Sequence, residues 1–200
     1  MEDINSKFKH IFKIASSDSF IQKKSLGGEI PFFISAYDAT NELEIQKAIK
    51  GLKKKLQNNG RKVLDLNLYD IIIDIYQEKA MLNMMFNVEK KKSKDKFLRA
   101  LQSSLNIHEV LMPKISQLIN EAKADINFIT GIGLVYPYIR SHTILNNLQN
   151  IAKDAPTIIF FPGKYDGNSL NLFGLLKVDN YYRAFNIDTI KNNYDIKRNF

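Results

Sequence analysis

Residues 125–173, DINFITGIGLVYPYIRSHTILNNLQNIAKDAPTIIFFPGKYDGNSLNLF, decide how this chain folds. Two short apolar runs bracket the stretch. Ile126–Thr130 ends in Gly131-Ile132-Gly133, and Thr157–Phe161 ends in Pro162-Gly163. Both runs are β-branched or aromatic and closed by turn residues, so both read as strands. The second is apolar almost throughout, as expected of a strand covered on both faces. Between them, Pro137 to Ala152 predicts a helix, with Pro137 in the first turn, where a missing N–H costs nothing. Ile144, Leu145, Leu148, Ile151 and Ala152 recur at helical spacing as its buried stripe. Arg140, Thr143 and Asn147 fall on the other side, with His142 and Asn146 beside them.

A strand–helix–strand unit of this length predicts a right-handed crossover between parallel strands. Both strands then end at one edge of the sheet, where open α/β sheets bind their ligands. The loop Gly131–Tyr136, the turn with Arg140 and the turn Gly163-Lys164-Tyr165-Asp166-Gly167 are therefore expected to lie together.

The same alternation extends outward. Ile30–Ala36 reads as a first strand, running into Tyr37-Asp38. A helix over Asn41–Asn59 follows, capped by Thr40 or Asn41 and ended by Asn59-Gly60. Val63–Leu68 is a second strand, and Tyr69–Glu78 turns helical. Residues 79–122 predict a Lys-rich helical insertion between strands two and three, with Pro113 either in a first turn or at a kink. Its Met81, Leu82, Met84, Met85 and Phe86 suit a core or an adaptable binding surface. Residues 4–15 form an amphipathic helix, 16–29 a polar loop, Tyr182–Ile187 an edge strand and 188–200 a tail or short helix. The expectation is a single α/β domain over residues 1–200: a three-layer sandwich on a mostly parallel sheet of about five strands.

Composition narrows the function. The chain has no cysteine, which excludes disulfides and cysteine metal sites. His10, His108 and His142 are far apart with no paired spacing, so neither a metal nor a cofactor is expected. No apolar run is long enough to span a bilayer and no signal core opens the chain, so we expect a cytoplasmic protein without a membrane partner. The net charge is +8, and only five of the 29 basic residues are Arg. Lys clusters at 53–55 and 90–96 fit either solvated faces or contacts to nucleic-acid phosphates.

The chemistry of the central stretch stays open. His142 and Asp166 suit an acid–base pair, yet no Ser or Thr sits in a nucleophile elbow. Gly131-Ile132-Gly133 between a strand and a helix resembles a phosphate cradle, or simply a sharp turn. Arg140 in a helix first turn opposes the helix dipole, so an anion should offset it: Asp166, Asp38 or an anionic ligand. Tyr165 and Asp166 sit in a turn whose Asp-Gly needs no function. The chain contains no Gly-x-x-x-x-Gly-Lys-Ser/Thr loop, which disfavours a Walker-type ATPase.

Three long motifs, in order, carry a resemblance. Tyr136–Gln149 (YPYIRSHTILNNLQ), Phe160–Leu170 (FFPGKYDGNSL) and Asp179–Phe185 (DNYYRAF) resemble the signature of the BrxB family, with Ala36-Tyr37-Asp38 and Asn67-Leu68-Tyr69-Asp70 also matching. The resemblance covers about residues 30–187. It implies a component of BREX, a bacterial anti-phage defence system, working beside a DNA methyltransferase, a large ATPase and the phosphatase-like protein PglZ. It implies no particular reaction. Lys164 departs from the pattern, where an acid would be expected, and this argues against a cation at that turn. The reading is a non-enzymatic assembly component that binds a partner such as PglZ, with Gly131, Gly133, Tyr136, Arg140, His142, Asn146, Asn147, Tyr165, Asp166 and Asp38 as candidate ligand- or partner-binding residues. The alternatives are a nucleic-acid-binding subunit using the Lys-rich helices, or a cryptic nucleotide-phosphate-binding protein.

Overall fold

The run Ile126–Thr130 is buried at every position, and Thr157–Tyr165 at its first six. Strands this apolar need cover on both faces, and both faces are covered. The computed structural model describes residues 3–22, 31–176 and 184–190. Its strands are β1 (Phe32–Tyr37), β2 (Val63–Asn67), β3 (Ile126–Thr130), β4 (Thr157–Tyr165), β5 (Leu170–Leu172) and β6 (Phe185–Asn186). The sheet order is β2-β3-β4-β1-β6, and every pair along that path is parallel. Only β5 is antiparallel, paired with the far end of β4. The register runs from Val63 opposite Ile126 to Asn67 opposite Thr130, and from Phe32 opposite Thr157 to Tyr37 opposite Pro162.

The two-residue period of the strands sorts their side chains into two cores. Phe33, Val63, Ile126, Phe128, Ile158 and Phe160 face a layer made by helices α1 (Ile4–Ala15) and α3 (Glu42–Asn58), with Phe20 of the short α2 (Asp18–Ile21). Phe32, Ile34, Leu66, Ile129, Ile159 and Phe161 face the layer of α4 (Leu68–Glu78), α7 (Met112–Ala122) and α8 (Ser141–Ile151). The result is a three-layer α/β/α sandwich. Phe160 stacks on Phe8 at 5.9 Å and meets the edge of Phe128 at 5.2 Å, joining α1 to the middle of the sheet. Full burial of a Phe contributes about 1.5–3 kcal/mol. A partly buried ion pair adds to this layer: Lys7 Nζ lies 3.0 Å from Asp188, whose carboxylate also accepts from Ser35 Oγ at 3.1 Å.

The insertion between β2 and β3 is helical as expected: α4, α5 (Leu82–Lys91), α6 (Lys94–Ser104), a π turn at Ile107–Leu111, and α7. Pro113 lies in the first turn of α7, where it breaks no hydrogen bond. The Met-rich run divides, with Met85 buried while Met84 and Phe86 are half-exposed.

Several expectations are corrected. The helix predicted from Pro137 begins at Ser141. Before it stand a 3-10 turn at Gly133–Val135 and a cis peptide between Tyr136 and Pro137. Val135 and Ile139 are both buried, with Ile139 N–H donating to Val135 O at 3.0 Å. Pro137 has first-turn chemistry, but the buried Val135 and Ile139 on either side of it anchor a turn, and the chain becomes helical only at Ser141. Residues 18–21 form α2 instead of a loop, because Phe20 packs on Phe33 with ring centres 4.7 Å apart. The first strand starts at Phe32 and extends to Tyr37. Asn41 at the N-cap of α3 makes no side-chain cap; Asp38 instead caps the 3-10 turn Ala39–Asn41. β4 does not stop at Pro162-Gly163 but continues to Tyr165, since β5 folds back on it. The edge strand is confined to Phe185–Asn186 among the described residues. The sequence motif at residues 179–183, the Gly27-Gly28 pair and the tail from 191 lie outside the described residues.

Gly163 shows why this hairpin needs its glycine. Its φ is +154°, and a Cβ there would stand 2.1 Å from Asn171 O and 2.9 Å from Phe173 N on the returning strand. Gly163→Ala is therefore expected to destabilise the protein by roughly 2–4 kcal/mol. An unchanged urea midpoint for this variant would contradict the close approach.

Candidate functional site

Parallel pairing brings the carboxyl ends of β1, β2 and β3 to one edge, with the β4–β5 hairpin beside them. Asn67 ends β2 and caps α4 with no intervening loop: its Oδ1 accepts from Tyr69 N–H at 3.0 Å and Asp70 N–H at 3.4 Å. Gly131 ends β3 against that cap. Its φ is +74°, and a Cβ would come within 2.4 Å of Asn67 Oδ1. A Cβ on Gly133 would stand 3.0 Å from the Phe173 ring and 3.1 Å from Pro162. Tyr136 meets Phe173 edge-on at 6.0 Å. The loop Gly131–Tyr136 thus lies against the hairpin, as the sequence suggests. The expected cradle between these glycines and the following helix is not formed, because α8 begins only at Ser141, and where Gly131 borders the N-terminus of α4 the Asn67 side chain already caps it.

Asp38 and Asp166 are occupied by their own turns. Asp166 is exposed and accepts from Asn168 N–H at 2.8 Å, Ser169 N–H at 2.7 Å and Ser169 Oγ at 2.5 Å. The Ser169 hydroxyl, then the two N–H groups, hold its carboxyl below the ordinary value. Asp38 accepts from Thr40 N–H at 2.9 Å and Thr40 Oγ1 at 2.7 Å, and its carboxyl is lowered by those bonds and by the charge of Lys164. Tyr165 Oη lies 2.7 Å from Ala184 O and 2.8 Å from Gly167 O, tying the hairpin to the segment before β6.

Arg140 is not in a helical first turn. It occupies the N-cap position of α8 with extended backbone, is exposed, and forms no ion pair among the described residues. The cation whose charge reaches Asp38 is Lys164 instead. His142 is half-buried in the first turn of α8, Asn146 is exposed, and Asn147 Nδ2 donates back to Thr143 O at 2.7 Å. The acid–base partnership of His142 with Asp166 is not formed: all the bonds described for Asp166 go to its own turn.

A cleft of about 600 Å³ opens at the same edge, between α3 and the ends of β1, β2 and β3. Its polar wall was not anticipated. Tyr37 Oη donates to Glu42 at 2.7 Å, Gln46 Nε2 donates to Glu42 at 3.0 Å, Thr130 Oγ1 donates to Asp65 at 3.1 Å, and Lys53 lies 3.7 Å from Asp65. Burial, then the Glu42 carboxylate, push the Tyr37 phenol far up, so it remains a donor. The one sequence signal was Asp65 itself, a charge inside an apolar strand. Among the described residues no three His, Asp or Glu side chains group to hold a metal.

Apolar side chains rim this edge. Tyr69 is 42% exposed, Leu134 44%, Tyr136 38% and Leu175 86%. Tyr138 connects them: its Oη donates to Leu134 O at 3.3 Å, and its phenol is pushed up to about 12, mainly by burial and then by the nearby Tyr69 and Tyr76. Large exposed apolar side chains on a monomer are usually scattered singly.

An α/β/α protein with turn-locked polar motifs and an aromatic edge is the class this geometry defines. Comparison with known proteins is more specific. A family profile described as "BREX protein BrxB" matches residues 64–187. The chain is 37% identical over 191 residues to "BREX protein BrxB" of Bacillus cereus (strain H3081.97), covering 94% of this chain and 98% of that protein. It is 30% identical over 172 residues to the protein of the same description from Escherichia coli O9:H4 (strain HS), covering 86% and 85%. No solved structure matches significantly. The chain belongs to the BrxB family, a component of the BREX system of phage defence. Among the described residues no helix is long and apolar enough to cross a membrane.

A depressed carboxyl contributes stability that is present above its unfolded value and lost as pH falls through its folded value. Asp38 and Asp166 both start from 3.8 and are lowered. Both are therefore expected to titrate below 3.8 in carbon-detected NMR, with their turns loosening only in that acid window. Asp166→Asn should accelerate amide exchange of Leu170–Leu172 at neutral pH while leaving β3 unchanged; equal rates in β5 would refute the turn-closing role.

Proposed function

We propose that this protein is a non-enzymatic assembly component of the BREX machinery, acting in the cytoplasm, and that it docks a partner protein through the aromatic edge. The observation that carries the reading is the group Tyr69, Leu134, Tyr136 and Leu175, exposed beside the partly buried Phe173 and Tyr138. Interfaces concentrate binding energy in a few Tyr and other large side chains on a rigid support, surrounded by contacts that exclude water. The support here is the end of a buried sheet. A non-catalytic role is favoured by Asp38 and Asp166, whose acceptor capacity is directed to their own turns. Of the proteins that work beside BrxB, we assign PglZ as the partner.

The test is co-expression with PglZ, the methyltransferase and the ATPase in turn, followed by purification at low salt and at about 0.5 M. A surface screened within a few ångströms at high salt must hold by apolar contact. A one-to-one complex with PglZ that survives is expected, as is its weakening at least tenfold by Leu134→Glu with Tyr136→Glu. Retention of another component instead, or an unaffected double variant, would refute the assignment. Arg140→Ala and His142→Ala are expected to fold and to support full phage resistance; loss of resistance with an intact PglZ complex would return these residues to a catalytic reading.

A further inference from the structure

A dense cluster of positive charge lies on elements other than those that carry the aromatic edge. Helices α5 and α6 are joined by Lys92-Ser93 alone. Around that joint stand six cations, Lys90, Lys91, Lys92, Lys94, Lys96 and Arg99, against two acids, Glu89 and Asp95. All eight side chains are exposed. None of the six cations forms an ion pair among the described residues, whereas Lys7, Lys53, Arg61 and Lys114 elsewhere each face a carboxylate. Unneutralised like charges this close repel one another, and an external polyanion removes that repulsion.

We infer that the α5–α6 joint binds the phosphate backbone of nucleic acid, without reading its sequence. Lysine is a compact point charge on a flexible stem and lacks the planar fork that arginine uses on base edges. Five of the six cations are Lys, and such contacts fix a protein on the duplex without carrying sequence information. A bilayer surface fits less well. The apolar positions Met81, Leu82, Met85, Phe97, Ala100 and Leu101 already pack on the core below. The exposed Met84 and Phe86 are two residues apart, on different sides of α5, and make no continuous face for insertion.

The experiment is fluorescence anisotropy of the full chain with a labelled 20-base-pair DNA of arbitrary sequence, in 50 and 200 mM KCl. About five phosphate contacts give a log–log salt slope near −4.5, hence a loss of roughly 500-fold in affinity across that range. Replacing Lys91, Lys92, Lys94 and Lys96 by Gln should cut the slope to about −1. A matched variant with Lys9, Lys47, Lys54 and Lys55 replaced by Gln, exposed lysines of the opposite layer, should keep the wild-type slope. Lysine acetylation of the unaltered protein gives a second readout: DNA should protect 90–96 and leave Lys54 and Lys55 reactive. The inference fails if DNA does not bind at 50 mM, if the two variants lose affinity equally, or if no protection appears at 90–96. It also fails if polyglutamate or phosphatidylserine vesicles of equal charge compete as well as DNA.

Discussion

Parallel pairing is the constraint on which the structure depends. β1, β2, β3 and β4 lie side by side in one direction, so all four release the chain toward the same edge. A parallel sheet is covered on both faces by the helices that return the chain, and here both faces are filled by Phe and Ile. The carboxyl edge is what remains open. The Tyr37-Asp38 turn, the Asn67 cap, the Gly131–Tyr136 loop and the β4–β5 hairpin crowd there because topology sends them there. Whatever large side chains those turns carry must either find the core or stay in water, and Tyr69, Leu134 and Tyr136 stay half in water.

Much of this was legible in the sequence, for physical reasons. Buried strands of a parallel sheet are apolar runs, and Ile126–Thr130 and Thr157–Phe161 announce themselves. Helices α1, α3 and α4 carry stripes at helical spacing, and their ends fall within a residue or two of the reading. The failures share a cause, which is that local patterns were decided by distant partners. Pro137 has first-turn chemistry but lies in a turn anchored by the buried Val135 and Ile139. Pro162-Gly163 has turn chemistry but lies within a strand because β5 returns along it. Phe20 is isolated in a polar stretch and is buried only because Phe33 lies opposite. The site was legible in part: the approach of Gly131–Tyr136 to the hairpin followed from topology. The Asp65–Thr130–Lys53 wall did not, since it joins β2, β3 and α3, three elements distant in the chain.

Asp38 and Asp166 each gather the N–H groups of the next residues, as short acidic side chains do at turns. Their charge shapes backbone and leaves the edge to aromatic contact. The six cations around the α5–α6 joint lie on other elements and form no ion pair among the described residues. One protein thereby presents two chemically different surfaces, built from separate elements of one fold.

The Asn67 cap has a further consequence. Because β2 passes into α4 without a loop, the backbone of Tyr69 is fixed by the sheet on one side and by a capped helix on the other. Its side chain retains only its own two torsions. A partner that lands on Tyr69 therefore orders very little chain, and the conformational entropy that usually opposes association has already been lost during folding. An aromatic group of modest area on such a mount can contribute more to affinity than a larger one carried on a mobile loop.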